Sequence, residues 1–278
     1  MDISDTFNDL VERFTNPPPL VSVVRLQGLI AAGGGMLRGG INLANQAGVL
    51  KAAFAPKRLA AVALVINSPG GSPVQSALIG KRIRQHAEEK KVPVVAFVED
   101  VAASGGYWLA AAADEIIADP ASIVGSIGVV SAGFGFTEAI QRLGIERRVH
   151  TQGERKRMLD PFMPERPEDV TRLEALQADI HDGFKEWVRE RRQGKLVGDE
   201  SALFNGDIWT GRQALALGLV DQLGDLRSTM RTRFGEKVRL RLVGARRAPW
   251  RRLLGPRSLA PDLLAAIEER LAWNRWGL

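Results

Sequence analysis

Short apolar runs that alternate with helical sequence limit the folds open to this chain. The runs cover residues 21–26, 59–67 and 92–98, and each is far shorter than the roughly 20 apolar residues that span a bilayer. Helical sequence lies between them at 43–53 and 75–90, and two short strands are predicted further along the chain, at 115–118 and 125–130. Strands that alternate with helices form parallel βαβ units, so the sequence predicts an α/β fold with a parallel sheet flanked by helices.

The two ends of the chain differ in character from its middle. Residues 1–16 place Phe7, Leu10, Val11 and Phe14 at helical spacing before three prolines. The stretch from Ala245 to the end holds seven arginines against one aspartate and two glutamates, together with three tryptophans. We therefore predict an N-terminal amphipathic arm at 1–20, a central domain at 21–243 and a basic Arg/Trp tail at 244–278.

The basic tail has two interpretations. Its arginines and tryptophans suit peripheral contact with an anionic membrane surface. Alternatively, a helix over 261–273 docks on the core or on a neighbouring subunit. The tail carries no recognised nucleic-acid motif, so no nucleic-acid partner is expected. Since no signal peptide or transmembrane segment is visible, we expect a cytoplasmic protein or one held peripherally on the cytoplasmic face of the membrane.

Several chemistries are excluded by the residues that the sequence lacks. There is no cysteine, which rules out disulfides, thiolate metal sites and a cysteine nucleophile. The sequence also contains no His-Glu-x-x-His pair, no phosphate-binding glycine loop before Lys-Ser/Thr and no dinucleotide fingerprint. No metal or cofactor is therefore expected. The formal charge of +6 on 278 residues is modest, and its location matters more than its sum.

Ser104 is the candidate nucleophile that the sequence presents. It lies between two alanines and two glycines, after a predicted buried strand at 92–98 and before the helix-forming run 107–113. Small neighbours let a substrate backbone approach closely, and the free N–H groups of a first helical turn face a developing oxyanion. The alternative is that Ser104 only caps the helix that follows it, which is the usual role of serine at such a position.

A serine hydroxyl needs a base within hydrogen-bond reach, and the candidates are few. Of the three histidines, His86 and His181 lie on charged helices, where a solvated side chain is expected, while His150 ends a predicted strand and remains a rival base. The other candidate is Lys156, since a lysine kept neutral by burial can accept a proton. Arg155 and Arg157 flank it, so the alternative is a solvated basic loop.

An ordered set of short motifs links these residues to a known family. The motifs are Asn67-Ser-Pro-Gly-Gly71, Ala103-Ser-Gly-Gly-Tyr107, Gly125-Ser-Ile-Gly-Val129, Lys156 in a basic loop, Phe204-Asn-Gly206 and Thr210-Gly-Arg-Gln-Ala214. Together they resemble the signal peptide peptidase A / SohB-like family of bacterial serine peptidases over residues 20–240. The resemblance implies a Clp/crotonase-like fold, a superhelix of repeated β-β-α units with parallel sheets flanked by helices, and makes residues 21–243 a serine peptidase domain.

The resemblance also implies a role for each matching residue. Ser104 matches the nucleophile of a Ser–Lys dyad, Lys156 its general base, and Ser126 a residue that orients the lysine amine. Gly71 matches one backbone donor of the oxyanion hole, and the second comes from Ser104 or Gly105. A serine endopeptidase that acts on signal-peptide-like, unfolded or membrane-derived peptides is implied, working as a homo-oligomer. The alternatives are an acyl-CoA-handling crotonase-like enzyme, which would use an acidic residue instead, and a catalytically silent membrane-associated scaffold.

Overall fold

The computed structural model describes residues 17–32, 40–244 and 273–274. The strands are β1 (Leu20–Gln27), β2 (Leu59–Ser68), β3 (Val94–Ala103), β4 (Glu115–Ala118), β5 (Ile123–Gly125), β6 (Ile208–Thr210), β7 (Gln222–Leu223) and β8 (Arg239–Val243). The helices are α1 (Leu43–Ala53), α2 (Pro73–Lys90), α3 (Gly105–Ala111), α4 (Thr137–Arg142), α5 (Pro167–Arg191), α6 (Glu200–Leu203), α7 (Gly211–Ala216) and α8 (Leu226–Phe234).

One mixed sheet organises the chain. Its strand order is β6-β5-β3-β2-β1-β8, and β4 pairs with β3 and with β7. Every pairing is parallel except that of β5 with β6. The predicted α/β fold with a mostly parallel sheet flanked by helices is therefore confirmed. The carboxyl ends of parallel strands meet at one edge, so the segments that follow β2, β3 and β5 are brought together there.

The larger hydrophobic core lies between one face of the sheet and helices α1, α2, α3 and the second half of α5. A smaller core on the other face packs under α8 around Met230. The N-terminus of helix α2 is capped, because the Ser72 side chain accepts a hydrogen bond from the Gln75 amide and Pro73 occupies the first turn. Buried side chains thus fix both faces of the central strands.

Helix α3 is completely buried, and three contacts hold it in place. The Trp108 and Phe184 rings stack with centroids 4.5 Å apart, and the Trp187 indole N–H donates to the Trp108 carbonyl at 3.0 Å. The Tyr107 hydroxyl donates to the Leu219 carbonyl at 2.9 Å, and burial raises the pKa of that phenol. Because α3 begins directly after Ser104, these contacts also fix the position of Ser104.

Residues 129–166 extend away from the sheet, and we call them the projecting arm. Most of the arm is exposed, and its own contacts include the Phe136–Phe162 ring pair and the ion pair of Arg147 with Asp160. It leaves large apolar side chains in solvent: Val130, Phe134, Phe136, Leu143, Ile145 and Met163. Exposed apolar surface of this extent on one segment is typical of interaction sites in general.

Two strand predictions were wrong. Residues 126–130 are not extended, because Ser126 has a φ of 52° and the pairing of β5 with β6 ends at Gly125. Residues 145–150 have no regular structure, so His150 does not end a strand.

The predicted amphipathic helix and nearly all of the Arg/Trp tail lie outside the described residues. The division at 1–20, 21–243 and 244–278 therefore stays a prediction. Among the helices of residues 17–32 and 40–244, none has the length and apolar character needed to cross a membrane.

Candidate active site

Ser104 lies in a strained bend between β3 and α3. Its backbone has φ 52° and ψ −120°, a conformation that residues with a side chain rarely adopt, and its amide donates to the Gly125 carbonyl at 2.8 Å. Ser104 occupies the N-cap position of α3, but its side chain makes no capping hydrogen bond. Strain that serves no capping role is typical of a nucleophile held at a strand-to-helix turn.

The turn after β2 brings two glycines against this serine. A Cβ atom built on Gly70 would lie 2.8 Å from the Ser104 Cβ and 2.9 Å from the Gly105 nitrogen. A Cβ on Gly71 would lie 2.0 Å from the Ile30 carbonyl oxygen, and both glycines have left-handed backbones, with φ values of 104° and 135°. Only glycine fits at either position, because a side chain would collide with backbone that cannot move away.

The amides of Gly71 and Gly105 converge beside Ser104. A Cβ built on Gly105 would lie 3.4 Å from the Gly71 nitrogen. Within the described part of the chain, neither amide donates a hydrogen bond, and that of Gly105 has no helical partner because it opens α3. Two unpaired amides next to a hydroxyl are the kind of donors that a developing oxyanion needs.

Ser126 occupies the neighbouring strand position. Ala103 of β3 pairs with Gly125 of β5, so Ser104 and Ser126 are the next residues on adjacent strands. The Ser126 amide donates to the Asp207 carbonyl at 2.6 Å. Its hydroxyl has no hydrogen-bond partner among residues 17–32 and 40–244, which leaves it available to another group.

His181 supports this loop, a contact that the sequence analysis missed. Its Nε2 lies 3.1 Å from the Ile127 carbonyl, to which it donates when that nitrogen carries the proton. The expectation of a solvated side chain was therefore wrong. His181 precedes Phe184 and Val188 by three and seven residues, the spacing of one helix face, and both of those residues are buried. That spacing was the available signal.

No contact among the described residues places His86 or His150 beside the Ser104 bend. The His86 ring packs against Phe54 with centroids 5.5 Å apart, so the expectation that this side chain is solvated was wrong. His150 is exposed in the projecting arm.

Within the described ranges of one chain, no hydrogen bond joins Lys156 to Ser104 or Ser126. Lys156 is exposed in a turn of the projecting arm, and its amine has no hydrogen bond or ion pair in the described ranges. The Leu159 amide, three residues after Lys156, donates a hydrogen bond to the Asp169 carboxylate near the start of α5. The pKa of Asp169 is low mainly because of its hydrogen bond from the Arg166 side chain, and the Leu159 amide lowers it further. Asp169 precedes His181 by twelve residues of α5, so the contact of Leu159 with Asp169 lies roughly 18 Å along the helix from the contact of Ile127 with His181.

The chain is similar to known peptidases. The model of "Peptidase family S49" matches residues 86–239. "Putative protease slr0021" of Synechocystis sp. is 33% identical over 86% of this chain and 89% of its own length. "Serine protease SPPA, chloroplastic" of Arabidopsis thaliana is 30% identical over 76% of this chain and 30% of that protein.

Two longer proteins and one solved structure complete the comparison. Proteins of Brucella abortus and Brucella melitensis named "Na(+)/H(+) antiporter NhaA" are 51% identical over 96% of this chain, which spans 38% of their length. Most of the length of these two proteins lies outside the match. The solved structure of a "1510-N membrane-bound stomatin-specific protease" variant has a TM-score of 0.49 and 15% identity, covering 86% of this chain and 99% of the other.

The match of the family model over more than half of the chain, and the match to nearly the whole Synechocystis protein, confirm the resemblance drawn from the motifs. The chain belongs to peptidase family S49.

Proposed function

We propose that this chain is a serine endopeptidase in which Ser104 attacks the carbonyl of a peptide bond. The observation that carries the proposal is the strained serine bend with the free amides of Gly71 and Gly105 beside it. A nucleophile needs its oxyanion donors within about 3 Å of the reacting oxygen, and this arrangement supplies two of them on rigid backbone.

The proposed reaction is acyl transfer through a Ser–Lys dyad. The neutral Lys156 amine accepts the Ser104 proton as the hydroxyl oxygen attacks the carbonyl carbon, and the Gly71 and Gly105 amides hold the resulting oxyanion. The lysine then gives its proton to the leaving amine as the peptide C–N bond breaks. Water hydrolyses the acyl-enzyme, and Ser126 orients the lysine amine by accepting a hydrogen bond from it.

The exposure of Lys156 favours an active site that is shared between two copies of the chain. A lysine acts as a base only in its neutral form, which desolvation favours. The Lys156 amine instead lies in solvent, and its loop is held through Leu159 to Asp169, away from the loop that carries Ser126. The projecting arm also exposes apolar side chains, such as Phe134, which is 80% exposed. We therefore propose a homo-oligomer in which a neighbouring chain covers the arm and Lys156 of one chain serves Ser104 of the next.

The proposed substrates are apolar peptides, such as signal-peptide-like segments and unfolded or membrane-derived chains. This class rests on the family resemblance. Contact of the Arg/Trp tail with an anionic membrane surface remains a prediction, since that tail lies outside the described residues.

The strained bend favours a peptidase over the two alternatives. An acyl-CoA-handling enzyme would use the glycine amides to hold a thioester oxyanion, but it has no use for a serine held at φ 52°. A silent scaffold would need neither the strained serine nor the free amides. Strain of this kind costs of order 1–3 kcal/mol and persists where it serves a site.

Peptide hydrolysis by the purified wild-type protein tests the proposal. Casein and a panel of apolar fluorogenic peptides are incubated with the protein over a wide concentration range, while light scattering follows assembly. We expect specific activity to rise with concentration as oligomers form. An assembled, well-folded sample that cleaves none of these substrates contradicts the proposal.

A Gly71→Ala substitution tests the oxyanion donor. We expect kcat to fall about 10²–10³-fold, because the new methyl group meets the Ile30 carbonyl and displaces the amide. Gly235→Ala is the matched control, since Gly235 also has a positive φ but open space around it. Steady-state kinetics and thermal melting are compared for both variants. A folded Gly71→Ala protein with unchanged kcat would rule out this donor.

A further inference from the structure

Strand β3 contains an irregularity directly before the candidate nucleophile. Val98 pairs with Ile66 of β2, but the next pair is Ala102 with Ser68. Three residues of β3, from Glu99 to Val101, therefore lie opposite the single residue Asn67. A bulge of this kind bends a strand and re-aims the residues that follow it, and such bulges are frequent beside active sites.

The Asn67 side chain spans this bulge with both ends of its amide. Its Nδ2 donates to an Asp100 carboxylate oxygen at 2.5 Å, and its Oδ1 accepts from the Val101 amide at 3.3 Å. The side chain is largely buried, with 7% of the residue exposed. The Asn67 carbonyl also accepts from the Gly28 amide at 3.0 Å. One residue thus joins the ends of β1, β2 and β3.

The two strands that Asn67 joins carry the two halves of the candidate site. Asn67 precedes Gly71 by four residues, and Asp100 precedes Ser104 by four residues. A shift of β3 along β2 would therefore change the spacing between the hydroxyl and the oxyanion-hole amide. A displacement of about 1 Å in such a site can lower the rate about 10²-fold.

We infer that Asn67 is a positioning residue, which fixes the Ser104 hydroxyl relative to the Gly71 amide through its bond to Asp100. The inference rests on the proposed function. An amide is required because the position needs one donor and one acceptor. A carboxylate at position 67 would lie against that of Asp100, where the present contact is 2.5 Å, and an aliphatic side chain would leave the Val101 amide without its partner.

A double-mutant cycle between positions 67 and 100 tests the inference. In Asn67→Asp the two carboxylates repel each other, so we expect kcat and the rate of Ser104 phosphonylation by a fluorophosphonate, which releases fluoride, to fall about 10- to 100-fold with KM unchanged. Asp100→Asn keeps an acceptor for Asn67 and is expected to stay within about threefold of wild type. In the combined variant, the amide introduced at position 100 donates to the carboxylate introduced at position 67, and the phosphonylation rate is expected to recover to within about threefold.

Two further measurements separate positioning from a loss of folding or of function. Thermal melting confirms that each variant is folded, and hydrogen exchange of the segment 98–104 follows the Val101 amide, which is expected to exchange faster in Asn67→Asp and to be protected again in the combined variant. A folded Asn67→Asp protein whose Ser104 is phosphonylated at the wild-type rate overturns the inference, as does a combined variant that fails to recover. Wild-type protein that never reacts with the fluorophosphonate instead overturns the proposed function, and the exchange cycle then decides whether Asn67 holds the bulge.

Discussion

Alanine at position 104 is expected to abolish peptide hydrolysis, with kcat falling about 10⁴–10⁶-fold. The reason is that Ser104 carries the hydroxyl beside the two converging glycine amides, and nothing else at the bend replaces it. The melting temperature should change little, because the Ser104 side chain makes no capping hydrogen bond and alanine at the same φ carries similar strain. Steady-state kinetics and calorimetry on the same preparation measure both effects.

Ser201→Ala is a suitable control for this substitution. Ser201 is exposed on α6, outside every contact described for the site. It should hydrolyse peptides at the wild-type rate. If Ser104→Ala retains more than a small fraction of wild-type activity, the nucleophile lies elsewhere and the proposed mechanism fails.

Replacement of Lys156 by methionine is expected to lower kcat by a comparable factor. Methionine keeps the length and apolar stem of the side chain but cannot accept a proton, and the flanking Arg155 and Arg157 are permanently charged. The protein should still assemble, because the apolar side chains of the projecting arm are untouched. Kinetics and light scattering measure activity and assembly separately, and Lys57→Met, which changes an exposed lysine outside the arm, serves as the control.

Mixed oligomers of the two inactive variants provide the sharper test of where the lysine acts. When Ser104→Ala and Lys156→Met chains are assembled together in equal amounts, about a quarter of the sites should combine an intact serine from one chain with an intact lysine from its neighbour. Activity should therefore return to about a quarter of wild type. A mixed oligomer with no activity, beside active wild type, would show that each lysine serves its own chain after the arm moves.

The central sheet could be predicted because its signal is local. The runs that became β2 and the first half of β3 are almost unbroken apolar sequence, as expected of strands covered on both faces, whereas the run of β1 includes Ser22 and Arg25. Strand β4 and helix α1 match their predicted bounds. The serine bend could be identified for the same reason, since the run of small residues around Ser104 is contiguous in sequence. Strand β8 carried a period-two pattern of alternating arginine and leucine that was available but was not used.

The relations between distant residues could not be predicted from local pattern. The Asn67–Asp100 bond depends on a register shift between two strands, and composition does not determine where a bulge falls. The contact of His181 with Ile127 depends on how α5 crosses the loop after β5. The position of Lys156 depends on the path of the projecting arm, most of whose residues are exposed and lack the buried contacts that local sequence pattern reveals.

Identification of the residue modified by a fluorophosphonate in the assembled wild-type protein tests the central claim most directly. Intact-mass analysis followed by peptide mapping should find one adduct per chain, on Ser104, and the adduct should be missing from Ser104→Ala and form far more slowly on Lys156→Met. An assembled and folded wild-type protein that gains no adduct, or gains it on a different serine, would contradict the assignment of this chain as a serine peptidase that acts through Ser104.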